Sequence, residues 1–231
     1  MKFRKLLSAA ILFFAAFFVR GVEVVNAGHS GWNSRQLREI FRQELDKNRP
    51  DLIILMVGTN DNLNSYNLVP PEEFEKNLTA MAEAAKASGA ELLLCEIPNA
   101  CQELMQKRHK ADFFRRETAE DKVRRANQIV AAVAEAQRIP LLKTTEILGK
   151  ATTDAASLIR NPANSGNEDG VHPTPNGYFR LADALATRIT AEQWQPKRIP
   201  RNGARLTSGP PVKRTRTAAP DPQTYPRPPP R

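Results

Sequence analysis

Two continuous apolar runs constrain the fold of this chain more than any other feature. They read DLIILMV at 51–57 and ELLLCEI at 91–97, without the polar alternation of a strand that has one solvated face. Such runs are typical of strands buried on both faces of a parallel sheet. Helical patterns separate them, which favours an α/β domain with helices on both faces of the sheet.

Weaker patterns complete this alternation. Short runs at 22–26 and 139–143 predict two further strands. Helices are predicted over 34–47, 71–88, about 115–137 and 174–190. In a parallel α/β sheet, functional residues gather at the carboxyl ends of the strands.

Three loops at those strand ends carry the unusual residues. They read AGHSGWNS after the strand that ends at Asn26, GTND after the strand that ends at Val57, and EDGVHPTPNGY before the last helix. Asp169 and His172 are three residues apart, so the carboxylate can reach the imidazole and hold one tautomer. Glycine lets a loop turn sharply and present its N–H groups, and Asn60 adds an amide donor. A base, its orienting acid and two oxyanion donors are parts of an acyl-transfer site without a nucleophile.

The motifs GHSGWNS, GTND and DGVHP, in this order, resemble those of the SGNH or GDSL-type hydrolases, which are esterases and lipases. The resemblance covers about 22–190 and implies a flavodoxin-like three-layer α/β/α fold with a parallel sheet. It implies that Gly31 and Asn60 stabilise the oxyanion. It also implies that His172 is the general base and that Asp169 orients it. The substrate class is then a small-molecule, glycan or lipid ester, and no cofactor or metal is expected.

The first motif of that family is missing. It is a strand followed by Gly-Asp-Ser, whose serine is the nucleophile, and no GDS occurs in the chain. Such a strand, loop and helix need roughly 30 residues, yet Arg20 and Gly21 alone separate the apolar leader from the next predicted strand. In the family this strand lies between the second and third strands, so its loss leaves both neighbours unpaired.

We interpret the abrupt join as the trace of an internal deletion or a faulty gene model. Two alternatives stay open: the run 10–19 fills the gap, or the protein is a pseudoenzyme that binds a glycan or lipid. Ser30 and Ser34 lie near the expected site, but a tight loop and a helix cap explain them better than catalysis does. We therefore expect an ester hydrolase that is impaired by the lack of its serine.

The segment 1–20 has the layout of a secretory signal. Lys2, Arg4 and Lys5 precede an apolar run over 6–19, which is short for a membrane span. No small-x-small cleavage site follows at the expected distance, so an uncleaved anchor and a buried strand both remain alternatives. We expect an exported protein that is periplasmic, extracellular or tethered by this segment.

Positive charge is concentrated in the tail, 196–231. It holds nine Lys or Arg residues, one Asp and ten of the 18 prolines, a composition typical of disorder. The hydrolase-like domain, 21–195, is left with 21 basic and 24 acidic residues. The net charge of +9 therefore does not indicate a specific nucleic-acid partner, and we expect only weak contact between the tail and anionic surfaces.

A few residues have two interpretations. Cys95 and Cys101 fit either a disulfide or free thiols. His29 and His109 are interpreted as ordinary loop and helix-surface histidines. The segment 98–116 either flanks the substrate pocket or forms an amphipathic surface helix.

Overall fold

A parallel sheet forms the centre of the computed structural model, which describes residues 24–161, 168–192 and 194. Its strands in these residues are β1 (Leu52–Leu55), β2 (Glu91–Cys95) and β3 (Leu141–Leu142), in this order across the sheet. Leu52 lies opposite Glu91, and Leu94 lies opposite Leu141. The predicted leader, 1–20, and the predicted tail, 196–231, lie outside the described residues.

Helices connect and flank these strands. They are α1 (Ser34–Asn48), α2 (Thr59–Leu63), α3 (Pro71–Ser88), α4 (Gln102–Met105), α5 (Ala119–Gln137), α6 (Thr144–Leu148) and α7 (Pro175–Ala191), with a 3-10 turn at Ala111–Phe114. The helix predicted from about residue 115 begins at Ala119, because Thr118 and Asp121 form a capping box there. Two features were not predicted. They are the short helix α2 over GTND and the division of 98–116 into a helix and a 3-10 turn.

Strand β2 shows why the domain has three layers. Successive side chains of a strand point to opposite faces of the sheet. Leu92 and Leu94 pack in the cluster formed with α1, α3 and α5. Leu93 and Cys95 pack on the other face, in the cluster that includes Leu185 of α7. The fold is therefore a three-layer α/β/α arrangement around a parallel sheet, as predicted.

Strand β1 is covered less completely than its apolar sequence predicts. Leu52 is partly buried in the α7-side cluster, but Ile54 is 44% exposed and Met56, just past the strand, is 47% exposed. Because side chains alternate between faces along a strand, these three residues lie on one face. The described helices cover that face at Leu52 but leave Ile54 and Met56 exposed. The prediction of burial on both faces is wrong at Ile54 and Met56.

The strand predicted at 22–26 is also wrong over its described part. Residues 24–26 form no strand, and Val24 and Val25 are exposed. A strand needs a neighbour that takes up its backbone hydrogen bonds, and β1 pairs with β2 alone among the described strands. Val24 and Val25, like Ile54, are therefore in contact with solvent.

The two cysteines are free thiols. Cys95 lies in β2 and Cys101 lies just before α4, and both are buried. Burial raises the pKa of the Cys95 thiol to about 12, so this thiol is protonated at neutral pH. Of the described helices, none has the length and apolar content to cross a membrane.

Candidate active site

Asp169 and His172 form the hydrogen-bonded pair that the last motif predicts. Asp169 Oδ2 lies 2.5 Å from His172 Nδ1, and Asp169 Oδ1 accepts the backbone N–H groups of Val171 and His172 at 3.0 Å each. The Asp169 side chain is fully buried, whereas that of His172 is 36% exposed. The carboxylate therefore fixes the ring and favours the tautomer with its proton on Nδ1, which makes Nε2 the acceptor nitrogen.

Hydrogen bonding keeps the Asp169 carboxylate ionised. Burial by itself favours the neutral acid, but the bonds from the His172 side chain and from the two backbone N–H groups outweigh burial and lower the pKa of Asp169. An ionised acid behind the histidine also stabilises the imidazolium that forms when the histidine accepts a proton.

The loop that carries this pair is held by backbone contacts. Gly170 has φ +70, and a Cβ there would lie 2.6 Å from the Cys101 carbonyl oxygen. The carbonyl of Gly170 accepts the N–H of Cys101 at 2.8 Å, and the carbonyl of His172 accepts the N–H of Asn161 at 3.0 Å. Glycine is required at 170 because of both the positive φ and the close approach.

Arg108 is a further partner of the buried acid. Its Nη1 lies 3.3 Å from Asp169 Oδ2, the oxygen that also contacts His172, and its side chain is 46% exposed. No sequence pattern predicts this contact, because Arg108 lies in the basic run KRHK, 61 residues before Asp169.

Asn60 lies on α2, the helix that follows β1 in the chain. Gly58 begins this turn with φ +122, and a Cβ there would lie 2.6 Å from the Phe74 ring. Asn60 Nδ2 donates to the backbone carbonyl of Trp32 at 2.9 Å, and Asn64 Nδ2 donates to Asn60 Oδ1 at 3.2 Å. One Asn60 amide hydrogen is thus used to join the second and third motifs, and the amide carries a second hydrogen.

Gly31 lies in the exposed loop of the second motif with φ +80. Its carbonyl accepts Asn67 Nδ2 at 2.9 Å. Together with the bond from Asn60 to Trp32, this contact places Gly31 and Asn60 on neighbouring loops. The structure therefore brings the two predicted oxyanion donors into one region through direct contacts between their loops.

Ser34 has a structural role, although not the one predicted. It is fully buried, its Oγ accepts Asn77 Nδ2 at 2.9 Å, and its N–H lies 3.0 Å from both carboxylate oxygens of Asp61. The helix cap is Asn33, which forms a capping box with Gln36, so the prediction of Ser34 as the cap is wrong. Ser30 is exposed in the loop before Gly31.

The segment 98–116 contacts both the loop that carries Asp169 and the loop that follows α2. It forms α4 and a 3-10 turn, with Met105 and Phe114 buried, so the alternative of one amphipathic surface helix is wrong. His109 is half-buried in the turn that joins them, not on a helix surface, and its Nδ1 lies 2.9 Å from Ser65 Oγ. Because Arg108 contacts Asp169, this one turn reaches both the acid–base pair and the loop that follows α2.

The sequence of the chain matches a known protein family. The sequence profile of the GDSL-like Lipase/Acylhydrolase family matches residues 9–180. The chain belongs to this family. It is 26% identical over 171 residues to an arylesterase of Vibrio mimicus, an alignment that covers 73% of this chain and 70% of the relative. It is 21% identical to a GDSL esterase/lipase of Oryza sativa subsp. japonica, covering 79% of this chain and 71% of that protein.

Solved structures support the same fold for this GDSL-like chain. A GDSL-like lipase from Bacteroides thetaiotaomicron VPI-5482 matches with a TM-score of 0.54 at 24% identity, covering 71% of this chain and 73% of the other. A variant of an acetyl xylan esterase from Geobacillus stearothermophilus matches with a TM-score of 0.55 at 19% identity, covering 79% and 80%. At these identities the likeness establishes the fold.

No metal centre accompanies the site of this GDSL-like chain in the described ranges. Across residues 24–161, 168–192 and 194, no three His, Cys, Asp or Glu side chains are grouped so as to hold a metal ion. The groups available there for chemistry are the acid–base pair, amide and guanidinium donors, and hydroxyls.

Proposed function

We propose that this chain is a carboxylic-ester hydrolase of the GDSL-like family whose activity is impaired because its nucleophilic serine is absent. The observation that carries the proposal is the pair of Asp169 and His172, with its 2.5 Å contact and its buried, ionised carboxylate. An ionised carboxylate in a fully buried position is costly unless hydrogen bonds compensate it. Its presence in a loop at the sheet edge is typical of an acid–base site.

In a chain with its serine, each residue has a defined role. His172 Nε2 takes the hydroxyl proton as the serine attacks the ester carbonyl, and it later returns that proton to the leaving alcohol. Asp169 stabilises the imidazolium in between. The backbone N–H of Gly31 and the second amide hydrogen of Asn60 stabilise the oxyanion. Two neighbouring loops supply these donors, joined by the contact between Asn60 and Trp32.

Two observations support the absence of the serine-bearing unit. The chain contains no Gly-Asp-Ser sequence. The face of β1 that bears Ile54 and Met56 is exposed, where a neighbouring strand and helix of the family fold would cover it. The acid–base half of the site is thus retained while the nucleophile is lost.

For the substrate, we propose short acyl or acetyl esters of small molecules, glycans or lipids. An arylesterase is among the relatives of this chain, and an acetyl xylan esterase is among the solved structures that share its fold. Arg108 adds an exposed guanidinium beside the acid–base pair, which would favour substrates that carry oxygen acceptors.

The alternative is a non-catalytic glycan- or lipid-binding protein. The lack of a Gly-Asp-Ser sequence favours it, because an acid–base pair without a nucleophile can still take part in binding. This alternative predicts ligand affinity without turnover and no effect of His172→Gln on binding.

We propose further that the chain is exported or tethered through 1–20 and that 196–231 is a separate basic tail. The sequence of each segment supports this division. Cell fractionation tests export, and a version of the protein without 196–231 should keep any ester hydrolysis. Finding both the full chain and this shortened version in the cytosolic fraction would contradict export.

The deciding experiment is hydrolysis of a short-chain nitrophenyl ester by the full chain and by a version with a Gly-Asp-Ser strand, loop and helix of about 30 residues inserted before Val22. We expect the insertion to raise kcat by at least 100-fold. His172→Gln in the restored version should remove that gain, whereas the matched control His29→Gln should keep it. A gain that survives His172→Gln would contradict the proposed roles.

A further inference from the structure

Ser65 and His109 form a second serine–histidine contact, separate from Asp169 and His172. Ser65 Oγ lies 2.9 Å from His109 Nδ1, within the range of a hydroxyl-to-imidazole hydrogen bond. A nucleophile and a base within this distance are the elementary unit of nucleophilic catalysis. Ser65 and His109 both lie outside the family motifs of this chain.

The surroundings of His109 favour its neutral form, which can accept a proton. Its ring contacts Phe113 at a centroid distance of 5.6 Å and Phe114 at 6.5 Å, and the Tyr66 ring lies 6.3 Å away. Burial first, and then the charge of Arg108, lower the pKa of His109. A neutral imidazole that accepts a hydroxyl proton at Nδ1 carries its own proton on Nε2.

The contact lies next to the residues of the proposed site. Ser65 directly follows Asn64, whose Nδ2 donates to Asn60 Oδ1 at 3.2 Å. His109 directly follows Arg108, whose Nη1 lies 3.3 Å from Asp169 Oδ2. Ser65 and His109 are therefore each adjacent in sequence to a residue that contacts the proposed site.

Exposure distinguishes Ser65 from the serines considered above. Ser34 is fully buried and accepts a hydrogen bond from Asn77. Ser30 is exposed, and its hydroxyl has no hydrogen bond to a histidine among the described residues. Ser65 is half-buried with a histidine in contact, beside the exposed Tyr66 ring.

We propose that Ser65 is the acyl-accepting nucleophile of this chain as it stands, with His109 as its general base. The proposal rests on the proposed function for its substrate class, short activated esters. It differs from the proposed function in the residues that act. Ester hydrolysis by the chain as it stands would use Ser65 and His109 instead of His172.

The step is an ordinary acyl transfer. Ser65 Oγ forms a bond to the ester carbonyl carbon, and its proton moves to His109 Nδ1. The bond to the leaving oxygen breaks, and that oxygen takes the proton from His109 and departs as the alcohol. Water then repeats the sequence at the acyl-serine with His109 as base, which releases the carboxylic acid and regenerates Ser65.

A fluorophosphonate tests this assignment directly, because the Oγ–P bond forms as the P–F bond breaks and the serine proton leaves with fluoride. The full chain is incubated with the reagent and the modified serine is mapped by peptide mass spectrometry. We expect the label on Ser65, its loss in Ser65→Ala, and an undiminished rate in the control Ser30→Ala.

His109→Gln tests the role of His109 as the general base. Glutamine can still hydrogen-bond to Ser65, but it does not accept a proton at neutral pH. We expect the labelling rate to fall by about 100-fold, the usual contribution of a general base, with an unchanged circular dichroism spectrum.

The outcomes separate this inference from the proposed function. Labelling of a serine other than Ser65, equal labelling in His109→Gln, or no labelling of the full chain would each overturn the inference. In the version with the restored Gly-Asp-Ser unit, a label on the inserted serine that depends on His172 supports the proposed function whatever happens at Ser65.

Discussion

Strands β1 and β2 have almost the same apolar composition, yet they differ in how completely they are covered. In β2 every residue from Leu92 to Cys95 is buried. In β1 Leu55 alone is buried, and Ile54 is exposed on the face that Leu52 shares with α7. The difference teaches that an apolar strand is buried only where its neighbours are present. We call the region around β2, β3 and the loop of Asp169 the closed half, and the region around β1 and residues 24–33 the open half.

Core truncation should show the largest difference between the two halves. Leu93→Ala in β2 removes a fully buried side chain and should lower the free energy of unfolding by about 2–5 kcal/mol. Ile54→Ala in β1 should cost about 1 kcal/mol or less, because the side chain already contacts solvent. Urea unfolding of both variants measures this. Equal costs would mean that Ile54 is covered in solution.

Loop glycines offer a comparison of intermediate size. Gly170→Ala combines a positive φ with a clash against the Cys101 carbonyl and should destabilise the closed half by about 1–3 kcal/mol. Gly89→Ala is the matched control, because φ there is +79 but no atom lies within 4 Å of the added Cβ. Thermal unfolding of the two variants separates the clash from the backbone strain. Equal losses would contradict the close packing at Gly170.

The acids of the two halves should respond to pH in opposite directions. The folded pKa of Asp169 is lowered, so its stabilisation is complete above the unfolded value of about 3.9 and is lost as the pH falls through the folded pKa. Asp61, beside Ser34, has a pKa raised chiefly by burial. Its contribution is greatest below about pH 3.9 and is lost as the pH rises through its folded pKa.

Unfolding free energies between pH 3 and pH 7 test this contrast. The advantage of the unmodified chain over Asp169→Asn should grow with rising pH, whereas its advantage over Asp61→Asn should shrink. Asp183→Asn, on an exposed position of α7, is the control variant. Parallel trends for Asp169 and Asp61 would contradict the two opposed environments.

Thiol reactivity is the smallest expected effect. Cys95 in β2 is a buried thiol whose pKa is raised to about 12, so iodoacetamide should leave it unmodified in the native chain at pH 8. In urea it should react at the rate of an ordinary thiol. Rapid native labelling of Cys95 would show that the closed half opens readily.

The sequence determined those parts of the fold that depend on local pattern. Helix α3 was predicted at its observed bounds, because Pro71 begins it and Gly89 ends it with φ +79. The contact between Asp169 and His172 was predicted because the two residues are three positions apart. Both features are encoded within a few residues.

Contacts between distant segments were not predictable in this way. Arg108 and Asp169 are 61 residues apart, and Ser65 and His109 are 44 residues apart, with no periodicity to connect them. The exposure of Ile54 depends on a neighbour that the apolar run itself does not encode. Tertiary context, rather than an unusual residue, decided each of these features.

Backbone hydrogen exchange tests most directly the claim that a strand unit is missing beside β1. We predict that β2 amides are protected throughout, whereas alternate amides of Leu52–Leu55 exchange rapidly in the full chain. Inserting the Gly-Asp-Ser unit before Val22 should bring β1 to the protection of β2. Uniform protection of β1 in the unmodified chain would contradict the account, because its open edge would then already be occupied.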